Sequence, residues 1–74
     1  MHYCVVVRAQ GKVLDYLRGE AYRVSREAKT DWYAEPSDLG TAFCFEDAKA
    51  RARFGMRQGK RYLGYRASER REMT

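Results

Sequence analysis

The chain is poor in the groups that usually do chemistry. Its 74 residues include one histidine, His2, and two cysteines, Cys4 and Cys44. With a single imidazole beside the N-terminus, histidine-based acid–base mechanisms lack a well-placed member. A His2–Cys4 pair, two residues apart on a strand, leaves no room for a third group to orient the base. A zinc site from His2, Cys4 and Cys44 would want a fourth ligand. The sequence has no phosphate-cradling glycine loop, zinc-protease helix or nucleophile elbow, and no cofactor is expected. Its apolar runs are too short to cross a bilayer, and no charged n-region followed by an apolar stretch opens the chain. The expectation is a soluble cytoplasmic protein. Two cysteines do not make a disulfide scaffold. In "YCVVV" and "AFCF" they read as buried thiols packing as small hydrophobes, although neighbouring strands would bring them close enough to oxidise.

What is present is a small globular composition. Hydrophobic residues make up 45% of the chain and ten side chains are aromatic, enough for one core, while charged residues at 34% cover its outside. A domain of this length buries only about 60% of the surface its unfolded chain exposes. Residues 1–68 are expected to form a single domain and residues 69–74, "ERREMT", a frayed polar tail.

The net charge of +5 is unevenly placed. Up to residue 45, six basic side chains (Arg8, Lys12, Arg18, Arg23, Arg26, Lys29) balance six acids (Asp15, Glu20, Glu27, Asp31, Glu35, Asp38). The excess therefore lies entirely in the C-terminal part, where nine Lys or Arg face only Glu46, Asp47, Glu69 and Glu72. Such asymmetry favours an acidic partner.

Periodicity gives the elements. "HYCVVVRA" alternates as a strand, with Tyr3, Val5 and Val7 on one face and Cys4 and Val6 on the other. "QGK" then offers a hairpin turn. Residues 13–28 fit two readings. Val13, Leu17, Ala21, Val24 and Ala28 fall at helical spacing, but Gly19 would cost a helix interior about 1 kcal/mol, and Tyr16, Tyr22, Val24 and Trp32 favour strands. Strands are preferred. "TDWYA" and "TAFCF" are further strands separated by the turn-rich "EPSDLG". From Glu46 to about Gly59 the charges complement a helix dipole, acids first and Arg57, Lys60 and Arg61 last. Ala48, Ala52 and Met56, with Phe54 and Gly55 beside them, are expected to face the sheet. A last strand follows, with Tyr62 and Gly64 on one face and Leu63 and Tyr65 on the other. The expected fold is α+β, a small antiparallel β-meander packed by one amphipathic helix in the C-terminal half and closed by a final strand. An exposed strand edge would let two copies pair.

On that helix Lys49, Arg53, Arg57 and Lys60 fall at i, i+4, i+8 and i+11, a cationic stripe that Arg51 and Arg61 widen. It suits phosphates or the carboxylates of an acidic protein surface; the plainer reading is a solvated helix face. Tyr62, Tyr65 and Arg66 would interleave stacking with charge, as single-strand binders do, although core packing is the commoner use of such aromatics.

The order "VVVRAQGK…YLRGEAYRV…DWYAEP…AFCFEDAKARA" resembles a pattern common in short phage and prophage proteins, and the size and α+β layout are similar to those of small anti-CRISPR proteins. The resemblance spans nearly the whole chain and implies an architecture rather than a site. As a group, such proteins inhibit by occupying a surface, often one that would otherwise hold nucleic acid. The function this implies is a non-enzymatic basic protein that inhibits a host defence complex by occupying an acidic or nucleic-acid-related surface. A direct nucleic-acid-binding module is the alternative. "GYRAS" also resembles the late strand of small ribonuclease toxins, which act through Arg, Lys and Tyr, but their leading pair of helices has no counterpart where residues 2–8 read as a strand.

Overall fold

A computed structural model describes residues 1–68; the expected tail, 69–74, lies outside the described residues. The chain runs β1 (His2–Val7), α1 (Gly11–Ala28), β2 (Trp32–Ser37), β3 (Gly40–Phe45), α2 (Ala48–Gly55), a 3-10 turn (Gly59–Arg61) and β4 (Tyr62–Ser68). The four strands form one sheet in the order β2-β3-β1-β4, with every neighbouring pair antiparallel. The α+β class and antiparallel sheet are as expected. The connectivity is not a meander: β-α-β-β-α-β in this strand order is the split βαβ, ferredoxin-like topology.

The largest difference from the sequence reading is α1, a helix where strands are preferred on propensity. Leu17, Ala21 and Val24 are buried along one face, and Leu14 and Ala28 extend that stripe. Tyr16 and Tyr22, which argue for strand, instead stand in solvent on the opposite side. There they make helix-spaced contacts, Tyr16 Oη to Glu20 at 3.1 Å and an Arg26 N–H to Tyr22 Oη at 3.1 Å. Gly19 lies exposed, so its propensity cost is set against a fully buried apolar stripe and loses. The glycine turn at Gly11 (φ 58°) leads into this helix and not into a hairpin. Lys29, in the left-handed region at φ 54°, ends it, with the Thr30 N–H donating to the Ser25 carbonyl at 3.0 Å.

Helix α2 is shorter than expected and turned differently. Asp47 caps it, accepting from the Lys49 N–H at 2.9 Å. Ala50, Phe54 and Gly55 face the core, whereas Ala48 is exposed and Met56 is 83% exposed. Phe54 decides the rotation, because its ring packs against both Phe43 and Phe45, at 5.0 and 5.5 Å between centroids. The early end is a change to i→i−3 bonding, the Arg57 N–H donating to the Phe54 carbonyl at 3.2 Å and the Gln58 N–H to the Gly55 carbonyl at 3.1 Å, with the Nε2 of the buried Gln58 side chain also on the Phe54 carbonyl at 2.9 Å. That carbonyl would otherwise take the Gln58 backbone N–H in a continuing helix.

Strand β4 also departs from simple alternation. Its register against β1 shifts between Val6 and Val7. Tyr62 consequently meets Tyr65, in an edge-to-face contact at 5.2 Å, and does not share a face with Gly64.

Both helices cover one face of the sheet, where Val5, Val7, Leu17, Ala21, Val24, Phe43, Phe45, Ala50 and Phe54 form the main core. On the other face Cys4, Val6, Ala42 and Cys44 are also buried. Cys4 and Cys44 are direct cross-strand partners and form a disulfide, where the sequence reading favoured separate thiols. No described helix is long and apolar enough to cross a membrane.

Candidate partner-binding surface

The sheet direction decides which cations meet. β1 runs antiparallel to both β3 and β4, so the end of β1, the start of α1, the β2–β3 turn and the start of β4 lie at one end of the molecule. The end of α1, the end of β3 and the start of α2 lie at the other.

The single helical stripe of the sequence reading does not form. Only Lys49, Arg51 and Arg53 of the six candidates are on α2. Arg53 pairs with Glu27 of α1 at 3.5 Å, and Arg57, just past α2, pairs with Glu20 of α1 at 3.3 Å. Glu20 has Arg23 within 3.9 Å as well. These arginines join the two helices, and their charge is largely answered inside the protein.

Arg51 has a different environment. Its guanidinium carbon lies 4.4 Å from the centroid of Tyr65 and 5.3 Å from that of Tyr3, in cation–π geometry. Its Nε is buried with no hydrogen-bond partner among the described residues. Arg66 points to the opposite side of the sheet, where it pairs with Glu35. Tyr62, Tyr65 and Arg66 therefore do not converge on one point, and the constellation that a ribonuclease would need is divided between two faces.

Lys60 and Arg61 sit in the 3-10 turn before β4, where the fold adds two cations that sequence reasoning missed. Arg8 follows β1 directly, and its backbone N–H donates to the Arg61 carbonyl at 2.9 Å. Lys12 is in the first turn of α1 at the same end. All four side-chain positions are exposed, and none makes an ion pair among the described residues. The start of α1 adds to this charge, since Gln10 provides no side-chain cap and the first turn holds no acid. The acids at this end are Asp15, one turn into α1, and Asp38, in the β2–β3 turn. The opposite end carries Glu27, Asp31, Glu46 and Asp47, with Arg26, Lys29, Lys49 and Arg53 among them. The only signal for Arg8 and Lys12 in the sequence was the βαβ crossover itself, which returns the start of β4 to the end of β1.

A cleft of about 240 Å³ between α1 and the β2–β3 hairpin is lined by Leu14, Arg18, Ala34, Glu35, Pro36, Gly40 and Thr41. Glu35 lines it without its carboxylate, which lies on the opposite face of the sheet with Arg66, so the cleft gathers no acid–base pair. Among the described residues no three His, Cys, Asp or Glu side chains gather as a metal site. Comparison with known proteins finds no matching family model, curated protein or solved structure.

Proposed function

We propose that this chain is a non-enzymatic binding protein that seats its cationic end, Arg8, Lys12, Lys60 and Arg61, on a polyanionic surface. That surface is nucleic acid, or the nucleic-acid-related face of a host defence complex that the protein inhibits by occupying it. The observation that supports this is the meeting of two basic pairs from distant parts of the chain, joined by the Arg8–Arg61 backbone hydrogen bond and free of ion pairs among the described residues. A coating of charge for solubility needs no such convergence. The proposed site of action is the cytoplasm, where Cys4 and Cys44 would stand as two buried thiols.

Fluorescence anisotropy of labelled single- and double-stranded DNA and RNA across a salt series tests this reading. Four cations neutralising four phosphates predict a log–log salt slope of about −3 to −4 on duplex DNA. Arg8→Glu, Lys60→Glu and Arg61→Glu together should abolish binding, whereas Lys49→Glu, at the opposite end, should leave it unchanged. If no nucleic acid binds, the defence complex is the remaining partner and the triple reversal should relieve its inhibition. Equal behaviour of wild type and the triple reversal towards every anionic partner would remove this end from the function.

A further inference from the structure

Beside the cationic end lies an aromatic shelf that charge alone does not explain. Helix α2 is eight residues long and packs mainly over β1 and β3, meeting β4 where Arg51 and Gly55 lie against Tyr65, so the helix-side surface of β4 rests largely on its own side chains. Those are Tyr62 and Tyr65, 42% and 45% exposed, standing edge to face. A core pair would bury its rings; this pair keeps nearly half of each in water. Its support is built from below. Arg51 lies against the Tyr65 ring, and Gly55 lets the edge of that ring approach so closely that a Cβ there would stand 3.0 Å from it. Arg51 has no carboxylate partner among the described residues, so a positive charge backs the platform. Tyr62 follows Arg61 directly in the chain and links the shelf to the cationic end.

Resting on the proposed function, we infer that the partner is single-stranded nucleic acid, with an unpaired base stacked on Tyr62 and the adjoining phosphates on Arg61, Lys60 and Arg8. An exposed ring beside guanidinium groups complements a base beside a phosphate, because every base offers a π-face and every linkage a negative charge. An acidic peptide would use the cations and leave the ring idle. A duplex would do the same, since its bases are already stacked on one another.

The test is the ratio of single-strand to duplex affinity, measured by anisotropy on oligonucleotides of equal length, for wild type, Tyr62→Ala, Tyr62→Phe and Tyr62→Trp. Circular dichroism melts of each variant confirm that it folds. Wild type should prefer the single strand. Tyr62→Ala should lower the ratio by about 5- to 150-fold, the span measured for losing one stacked base, while Tyr62→Phe and Tyr62→Trp should retain it. A ratio that is the same in wild type and in a folded Tyr62→Ala would overturn the stacking inference, while the salt-steep binding lost in the triple charge reversal would still support the cationic end. Absence of binding to any nucleic acid would overturn this inference and leave the defence complex as the partner of that end.

Discussion

The two faces of the sheet are both buried, but by different means. On one, two helices supply a second layer and three phenylalanines fill the space between. On the other, no described element covers the sheet, yet Cys4, Ala42 and Cys44 are fully inaccessible and Val6 nearly so. Their cover comes from the two edge strands. Tyr33 of β2 reaches across β3 and β1 to donate its hydroxyl to Ser68 Oγ of β4 at 2.8 Å, and Arg66 of β4 pairs with Glu35 of β2 over the same two central strands. His2 packs against the Tyr33 ring at 4.9 Å. Long amphipathic side chains thus roof a floor of small ones, their apolar parts inward and their polar ends joined. A sheet face need not be flat and wet to lack a second layer.

The comparison breaks most severely on the helix side. Phe54 is fully buried against Phe43 and Phe45, and Phe54→Ala should cost about 3–5 kcal/mol through lost burial and the cavity left behind. At a typical stability of about 0.05–0.15 kcal/mol per residue, a chain of this size has about 4–11 kcal/mol, so that loss is a large fraction of the total and unfolds the protein at the lower end of the range. Urea denaturation followed by circular dichroism checks it, and a folded, cooperative Phe54→Ala protein would show that the second face supports the domain alone.

Much of the helix side was legible in the sequence. Alternation in "HYCVVV" and "TAFCF" located the two central strands, and the acids before "AKARAR" located the start of α2. The α1 segment was misread because local propensity and helical period disagreed over the same residues. Burial of Leu17, Ala21 and Val24 decided between them, and that is a tertiary quantity. The end of α2 was equally hidden, since it lies in a change to i→i−3 bonding beside the buried Gln58. The candidate surface was only half legible: Lys60 and Arg61 were named for a helix they do not belong to, and Arg8 joins them only once the crossover is known. The second face left one trace in the sequence, two cysteines at inward-compatible positions of neighbouring strands, with no hint of the roof above them.

The disulfide is the next test of the comparison, and its expected effect is somewhat smaller. It closes a loop spanning β1 to β3, with a sequence separation of 40. Loop-closure entropy for that span gives about 4 kcal/mol, and engineered bonds commonly deliver less. Cys4→Ala with Cys44→Ala should therefore lower stability by about 2–4 kcal/mol relative to the oxidised protein. The fold itself should survive reduction better than it survives Phe54→Ala, because two thiols still fit the space as small hydrophobes while an alanine at position 54 leaves a void. Urea curves of the oxidised protein, the reduced protein and the double variant separate these contributions. If reduction alone unfolded the chain, the second face would be held by the bond and not by its roof.

The roof gives the smallest change in stability and the most specific readout. The Arg66–Glu35 pair is partly exposed, with side chains 39% and 25% accessible, and pairs of this kind contribute about 0.2–1 kcal/mol. Glu35→Gln should therefore scarcely move the urea midpoint. It should act on access instead. A dithiothreitol thiolate must reach one cysteine sulfur in line with the bond it displaces, forming a mixed disulfide while the second sulfur departs as a thiolate. Both sulfurs belong to residues with no accessible surface, so attack requires the side chains above them to part. Loosening Arg66 by Glu35→Gln, or removing its reach by Arg66→Ala, should raise the rate of reduction, followed by quenching with iodoacetamide and mass spectrometry, in native conditions. Arg53→Ala, which breaks a more exposed ion pair between the helices, is the control for a general loss of stability. Equal acceleration by all three variants would mean that the bond is reached through global unfolding; acceleration by the roof variants alone would mean that the two edge strands guard it locally.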